Sequence, residues 1–143
     1  ARSSSATPSW RLSPITMKRG SEQMSFCWCT IHVGDLEKSL AFYTGVVGLT
    51  VGRRFSPGPE TDIAFLGEGA TKVELICVKG HKPEARPEGI SLGFQVKNLE
   101  EKMAFINERG LAIDSGPIQP NEHVRFFYIR DPDGLKIQFV ENM

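Results

Sequence analysis

Val33-Gly-Asp-Leu-Glu-Lys-Ser-Leu-Ala-Phe-Tyr43 and Val96-Lys-Asn-Leu-Glu-Glu-Lys-Met-Ala-Phe-Ile106 are two versions of one segment, set 63 residues apart. Five of the eleven positions are identical, and Asp/Asn and Leu/Met make two further close matches. A repeat this long in a 143-residue chain implies two similar supersecondary units sharing one core. It also supplies a ruler, because each residue of one unit has a counterpart about 63 positions away in the other.

Working outward, both copies carry a helix. Asp35 and Asn98 are natural N-caps. Leu36, Leu40, Tyr43 and Val47 follow the first at helical spacing, and Leu99, Met103 and Ile106 follow the second. Gly45 or Gly48 stops one helix and Gly110 the other. Runs rich in aromatic and β-branched residues predict strands at 26–33, 49–55, 63–66 and 72–78, then at 90–96, 112–118, 124–130 and 136–141. Residues 56–59 (Ser-Pro-Gly-Pro) predict a loop, and 67–69 and 131–134 predict turns. Residues 79–88 read as a linker. The expected fold is α+β: two βαβββ modules in tandem, forming a half-rolled, cup-shaped mixed sheet with the helices on its outer face. The first module spans 24–81, and the linker with the second module spans 82–143.

Composition narrows the function. Hydrophobic residues make up 40% of the chain, and 17 Lys+Arg balance 17 Asp+Glu. With no basic block or long apolar run, the chain is expected to bind neither nucleic acid nor membrane. Three cysteines are an odd number, and Cys27 and Cys29 are too close on one extended strand to bridge each other. A reduced, cytoplasmic setting follows as the simplest reading. Residues 1–23 are Ser-rich, begin with Ala and show no apolar period; they read as a leader or tail outside the fold, with a transit peptide as the alternative.

Strand parity assigns faces. In 90–96, Leu92, Phe94 and Val96 should pack under the helix, leaving Ser91, Gly93 and Gln95 on the open side. The ruler transfers this to Trp28, Thr30 and His32 on the open side, with Cys27, Cys29, Ile31 and Val33 in the core. In 72–78, Val73, Leu75 and Cys77 face the helix while Glu74 and Ile76 face out. In 136–141, Ile137 and Phe139 are core while Lys136, Gln138 and Val140 are open. The open side therefore collects Trp28, Thr30, His32, Glu74, Ser91, Gln95 and Gln138. A concave face with an aromatic wall and a few polar groups is the usual form of a small-molecule site.

The combination of Val33-Gly-Asp-Leu36, Ser39-Leu-Ala-Phe-Tyr43, Gly48-Leu49, Val73-Glu-Leu75, Asp131-Pro-Asp-Gly134 and Ile137-Gln-Phe139 resembles the vicinal oxygen chelate superfamily, the glyoxalase/bleomycin-resistance/extradiol dioxygenase group. The resemblance covers 26–141. It implies a homodimer whose pockets form between modules of different subunits. It also implies, for metal-dependent members, four ligands that fall here on Trp28, Glu74, Ser91 and Gln138. Only Glu74 fits that pattern, although Gln138 could bind through its carbonyl, as Gln occasionally does in the family. The Trp28 indole is a donor without a lone pair for a metal, and a neutral Ser91 hydroxyl is a weak ligand. His32 sits one residue before Val33, where the family histidine would sit five before, so it is not that ligand. Its place resembles one that contacts the glutathione carboxylate in glyoxalase I relatives.

The resulting expectation is a metal-free, cofactor-free protein that binds or sequesters an aromatic or planar small molecule, with Trp28 stacking on it. One alternative is a glyoxalase I-like (lactoylglutathione lyase-type) lyase or isomerase that uses a divalent metal or Glu74 as general base. A vestigial interaction module is the other. His81 and His123 are expected to be solvated. The chain has no nucleophile elbow, phosphate-binding loop, dinucleotide fingerprint or metalloprotease motif.

Overall fold

The computed structural model describes residues 23–143; the leader expected at 1–23 lies almost wholly outside them. The order is β1 (Trp28–His32), α1 (Leu36–Phe42), a π-helical turn (Tyr43–Val47), β2 (Val51–Gly58), β3 (Thr61–Leu66) and β4 (Lys72–Val78). It continues with β5 (Ser91–Gln95), α2 (Leu99–Glu108), β6 (Ser115–Asn121), β7 (Val124–Arg130) and β8 (Lys136–Asn142). The strands form two four-stranded sheets, ordered β1-β4-β3-β2 and β5-β8-β7-β6. In each, the first strand runs parallel to the last and the other pairings are antiparallel. The tandem βαβββ reading is thus the observed fold.

The caps act as their sequence predicts. The Asp35 side chain accepts from the Lys38 N–H at 3.1 Å, and Asn98 accepts from the Glu101 N–H at 3.0 Å. Gly48, at φ +95°, closes the first helical segment in the left-handed region. Leu36, Leu40 and Tyr43 from the first module and Leu99, Ile106, Phe127 and Phe139 from the second join one buried cluster.

Polar contacts also cross between the modules. The buried Tyr43 hydroxyl donates to Asp131 Oδ2 at 2.7 Å, and the Gly34 N–H donates to Asp133 Oδ1 at 3.2 Å. From α2, Lys102 Nζ donates to the Val46 carbonyl, and Arg109 Nη2 donates to the Gly45 carbonyl at 3.1 Å. Two cations thus sit on carbonyls at the C-terminal end of the first helical segment, where the helix dipole favours positive charge.

Three expectations need correction. The loop at 56–59 is mostly strand, since β2 continues to Gly58. Strand β6 begins at Ser115, three residues later than the sequence suggested. Both are edge strands, where the N–H that proline lacks is not needed on the open side, so Pro57, Pro117 and Pro120 do not break them. Cys27 was placed in the core with Cys29; it lies just before β1 and is exposed, whereas Cys29 is half-buried. The alternation holds only within β1, and Cys27, one residue before it, borders the pocket beside Trp28. Among the described residues, no helix is long and apolar enough to cross a membrane.

Candidate functional site

Register places the open-face residues in rows. Trp28, Thr30 and His32 on β1 lie opposite Lys72, Glu74 and Ile76 on β4. Across the other edge of β4, Glu74 pairs with Phe65 and Ile76 with Ile63 on β3. On β2, Arg53 pairs with Phe65 and Phe55 with Ile63. Because cross-strand partners share a face, all these side chains belong to one surface.

Aromatic rings form its wall. Trp28 is 49% exposed and meets Phe65 edge to face, with 5.4 Å between centroids. Phe55 stacks parallel to Phe65 at 6.4 Å, and the Arg53 guanidinium lies 4.4 Å from the Phe55 centroid. Trp28, Arg53, Phe65 and Lys72 border one open pocket of about 480 Å³. At the foot of the wall, Glu74 is only 8% exposed, and the Thr30 hydroxyl donates to its Oε1 at 2.5 Å. Thr30 therefore satisfies one oxygen of a carboxylate that would otherwise be buried at a cost.

At the far end of β1, the exposed His32 ring meets His81 edge on, with 5.7 Å between centroids. Both histidines border a pocket of about 290 Å³ with Thr30, Glu84 and Ile90. His81 is exposed, as expected for a solvated linker residue, and its ring also lies edge on to His32. His123 is likewise exposed, beside Glu122, as expected.

The second sheet repeats the arrangement with different chemistry. Ser91 lies opposite Lys136, Gly93 opposite Gln138 and Gln95 opposite Val140. Gln138 also pairs with Tyr128, and its Nε2 donates to the Tyr128 hydroxyl at 3.1 Å. Lys136 Nζ sits 4.6 Å from the Tyr128 centroid. Trp28, Thr30, His32 and Glu74 are thus grouped on one sheet, and Ser91, Gln95 and Gln138 on the other. The pocket beside Trp28 is lined by first-module residues alone.

Phe55, Phe65, Arg53 and Tyr128 were missed from the sequence. Parity on the first and last strand of each module does not reach them. Extended to 53–55, 63–65 and 124–130, the same alternation would have found them.

The residues at the four family ligand places do not fit a metal centre. Trp28 offers an N–H, Ser91 a neutral hydroxyl and Gln138 a single neutral amide carbonyl, its Nε2 being bonded to Tyr128. Glu74 is the single carboxylate, and one of its oxygens is engaged by Thr30. Among the described residues no group of three or more His, Cys, Asp or Glu side chains is placed to hold a metal ion. Three perturbed titrations lie at the junction of the modules. Burial and then Asp131 push the Tyr43 hydroxyl up, burial pushes the Asp133 carboxyl up, and burial and then Arg109 push the Lys102 ammonium down.

Comparison with known proteins gives three findings. A family model described as "Glyoxalase/Bleomycin resistance protein/Dioxygenase superfamily" matches residues 25–139. The lactoylglutathione lyase of Salmonella typhimurium is 32% identical over 120 residues, covering 78% of this chain and 87% of that protein. Among solved structures, the trypanothione-dependent glyoxalase I of Leishmania major is 26% identical with a TM-score of 0.72, covering 83% of this chain and 87% of that one. An antibiotic-binding protein from a Streptomyces species, TnmS3, is 23% identical with a TM-score of 0.69, covering 86% and 99%.

Proposed function

From the premise that the chain belongs to the glyoxalase/bleomycin resistance protein/dioxygenase superfamily, we propose that it is a metal-independent binder of a flat aromatic small molecule. The observation that carries this reading is the content of the four family ligand places. They hold one carboxylate, an indole, a hydroxyl and an amide, and the indole continues into an aromatic wall with Phe65 and Phe55. Such a wall favours a planar ligand stacked against Trp28, a contact worth about 0.5–1.5 kcal/mol beyond burial. Glu74, held by Thr30, would orient a donor group of the ligand. His32 and Gln95 would sit at the ends of the two β1-type strands, where polar substituents reach them.

A homodimer belongs to the same reading. Each sheet offers one half of a cup, so a second copy would set the Ser91, Gln95 and Gln138 face against the Trp28 face. Sedimentation as a monomer at micromolar concentration would contradict that arrangement. The reduced thiols are consistent with a cytoplasmic setting, which is part of the proposal.

A second reading, a glyoxalase I-like lyase or isomerase, has two observations in its favour: the relatives named lactoylglutathione lyase and the presence of Glu74. A buried carboxylate can act as a base. The reading lacks an electrophile to polarise the substrate oxygen.

The test of the binding reading is a fluorescence titration with neutral 1-naphthalenemethanol, in a Trp10→Phe background so that Trp28 is the sole indole. Saturable quenching is expected. By calorimetry, affinity should fall about tenfold in Trp28→Ala. Unchanged affinity in that variant would refute stacking on Trp28.

A further inference from the structure

We infer that the ligand of this cup is an aromatic acid, a flat ring system carrying a carboxylate; the inference rests on the stacking reading above and adds the sign of the ligand's charge. The chain as a whole is neutral, with 17 cationic and 17 acidic side chains. The open faces of the two sheets are not. Reading the register across all eight strands, the open side carries Arg53, Lys72, Arg130 and Lys136, against Glu74 as its one acidic side chain. Arg130 is matched by Asp114 at 3.3 Å, and Glu141 on β8 turns to the helix side, where it accepts from the Leu99 N–H. Arg53, Lys72 and Lys136 have no acidic partner among the described residues.

Two of these cations flank the aromatic wall itself. Arg53 and Lys72 border the pocket that Trp28 and Phe65 line. The Arg53 guanidinium lies over the Phe55 ring and makes no side-chain hydrogen bond among the described residues, so its fork of donors is available. Lys72 Nζ gives one donor to the Gly69 carbonyl at 2.6 Å and keeps two. A ring lying against Trp28 would therefore share its pocket with both a guanidinium and an ammonium. Two cations beside an apolar wall suit a carboxylate attached to the ring and oppose an ammonium there.

The second module supports the same sign. Trp28 lies opposite Lys72, and its counterpart Ser91 lies opposite Lys136. The indole of one copy is a serine in the other, yet both carry a lysine at the same point of the face. If two copies of the chain pair their unlike faces, Lys136 adds a further cation to the cup.

The experiment compares three naphthalene probes of matched size by calorimetry: 1-naphthoate, neutral 1-naphthalenemethanol and 1-naphthylmethylammonium. The expected order is naphthoate tightest, about tenfold over the alcohol, with the ammonium weakest. The naphthoate preference should shrink as ionic strength rises from about 0.01 M to about 1 M, where the screening length falls from about 30 Å to about 3 Å. The double variant Arg53→Met/Lys72→Met, checked for an unchanged Tm, should lose the preference. Equal binding of acid and alcohol, or a preference for the ammonium, overturns the charge inference and leaves the stacking reading standing. A naphthoate preference that survives both high salt and the double variant also overturns it. Failure of all three probes to bind overturns both.

Discussion

Removing one oxygen atom, in Tyr43→Phe, tests how the two modules are held together. Tyr43 is fully buried and Asp131 is 5% exposed, so their 2.7 Å hydrogen bond is shielded from solvent. The other oxygen of Asp131 is independently occupied, accepting from the Asp133 N–H at 2.9 Å and the Leu135 N–H at 2.8 Å. The turn at 131–134 should therefore survive the substitution, and the loss should be that of one charge-assisted bond. Such bonds contribute about 1.5–3 kcal/mol, and partial entry of water would favour the lower half of that range. A loss of about 2 kcal/mol corresponds to a Tm drop of about 6–8 °C in a domain of this size. The same contact fixes the alkaline behaviour. An unfolded tyrosine ionises near pH 10, whereas the folded Tyr43 hydroxyl is held well above that by burial and by the Asp131 charge. Its contribution is therefore complete below about pH 10 and is lost progressively as the pH rises further, because the unfolded state alone gives up the proton. Thermal unfolding followed by circular dichroism at pH 7, with chemical unfolding between pH 9 and 11, measures both effects. A Tm change under about 2 °C, or an alkaline loss identical in wild type and Tyr43→Phe, would refute the bond's role as a lock between modules.

Two further perturbations probe backbone and charge. Gly134→Ala places a methyl 2.7 Å from the Arg86 backbone nitrogen at φ +91°, whereas Gly48→Ala meets open space at φ +95°. The first should cost about 2–4 kcal/mol and the second about 1 kcal/mol in denaturant unfolding, and equal costs would mean that the Arg86 contact yields freely. Glu141 is held below the usual carboxylate range by the Leu99 N–H at the start of α2, with help from Arg125. Its stabilisation is present above the unfolded carboxylate value of about 4.3 and is lost as the pH falls below it. Glu141→Gln should therefore lower Tm at pH 7 and show a weaker Tm decline between pH 5 and pH 3; an unchanged decline would contradict the assignment.

The fold was legible because its signals are local and repeated. Asp35 and Asn98 cap, the Leu/Met/Ile stripes bury, and parity on four strands sorts Trp28, Thr30, Ser91 and Gln138 to one side and Ile31, Leu75, Ile137 and Phe139 to the other. What was not legible depends on strand order, which no single segment encodes. Pro57 and Pro120 look like breakers until β2 and β6 are known to be edges. Cys27 looks like core until β1 is seen to begin one residue later, at Trp28. The candidate site divides the same way. Parity found Trp28 and Glu74, but the bond from Thr30 to Glu74 needed the parallel pairing of β1 with β4. The meeting of His32 with His81 needed the path of the linker.

The central claim is that this cup binds without a metal, because Trp28, Ser91 and Gln138 stand where ligands would be required. The most direct measurement is a calorimetric titration of the metal-stripped protein with Zn²⁺, Ni²⁺ and Mn²⁺. At each step, turnover of the methylglyoxal–glutathione adduct is assayed in parallel. The account predicts no stoichiometric binding and no metal-dependent turnover. One equivalent of metal bound per cup, with turnover rising in step, would contradict it.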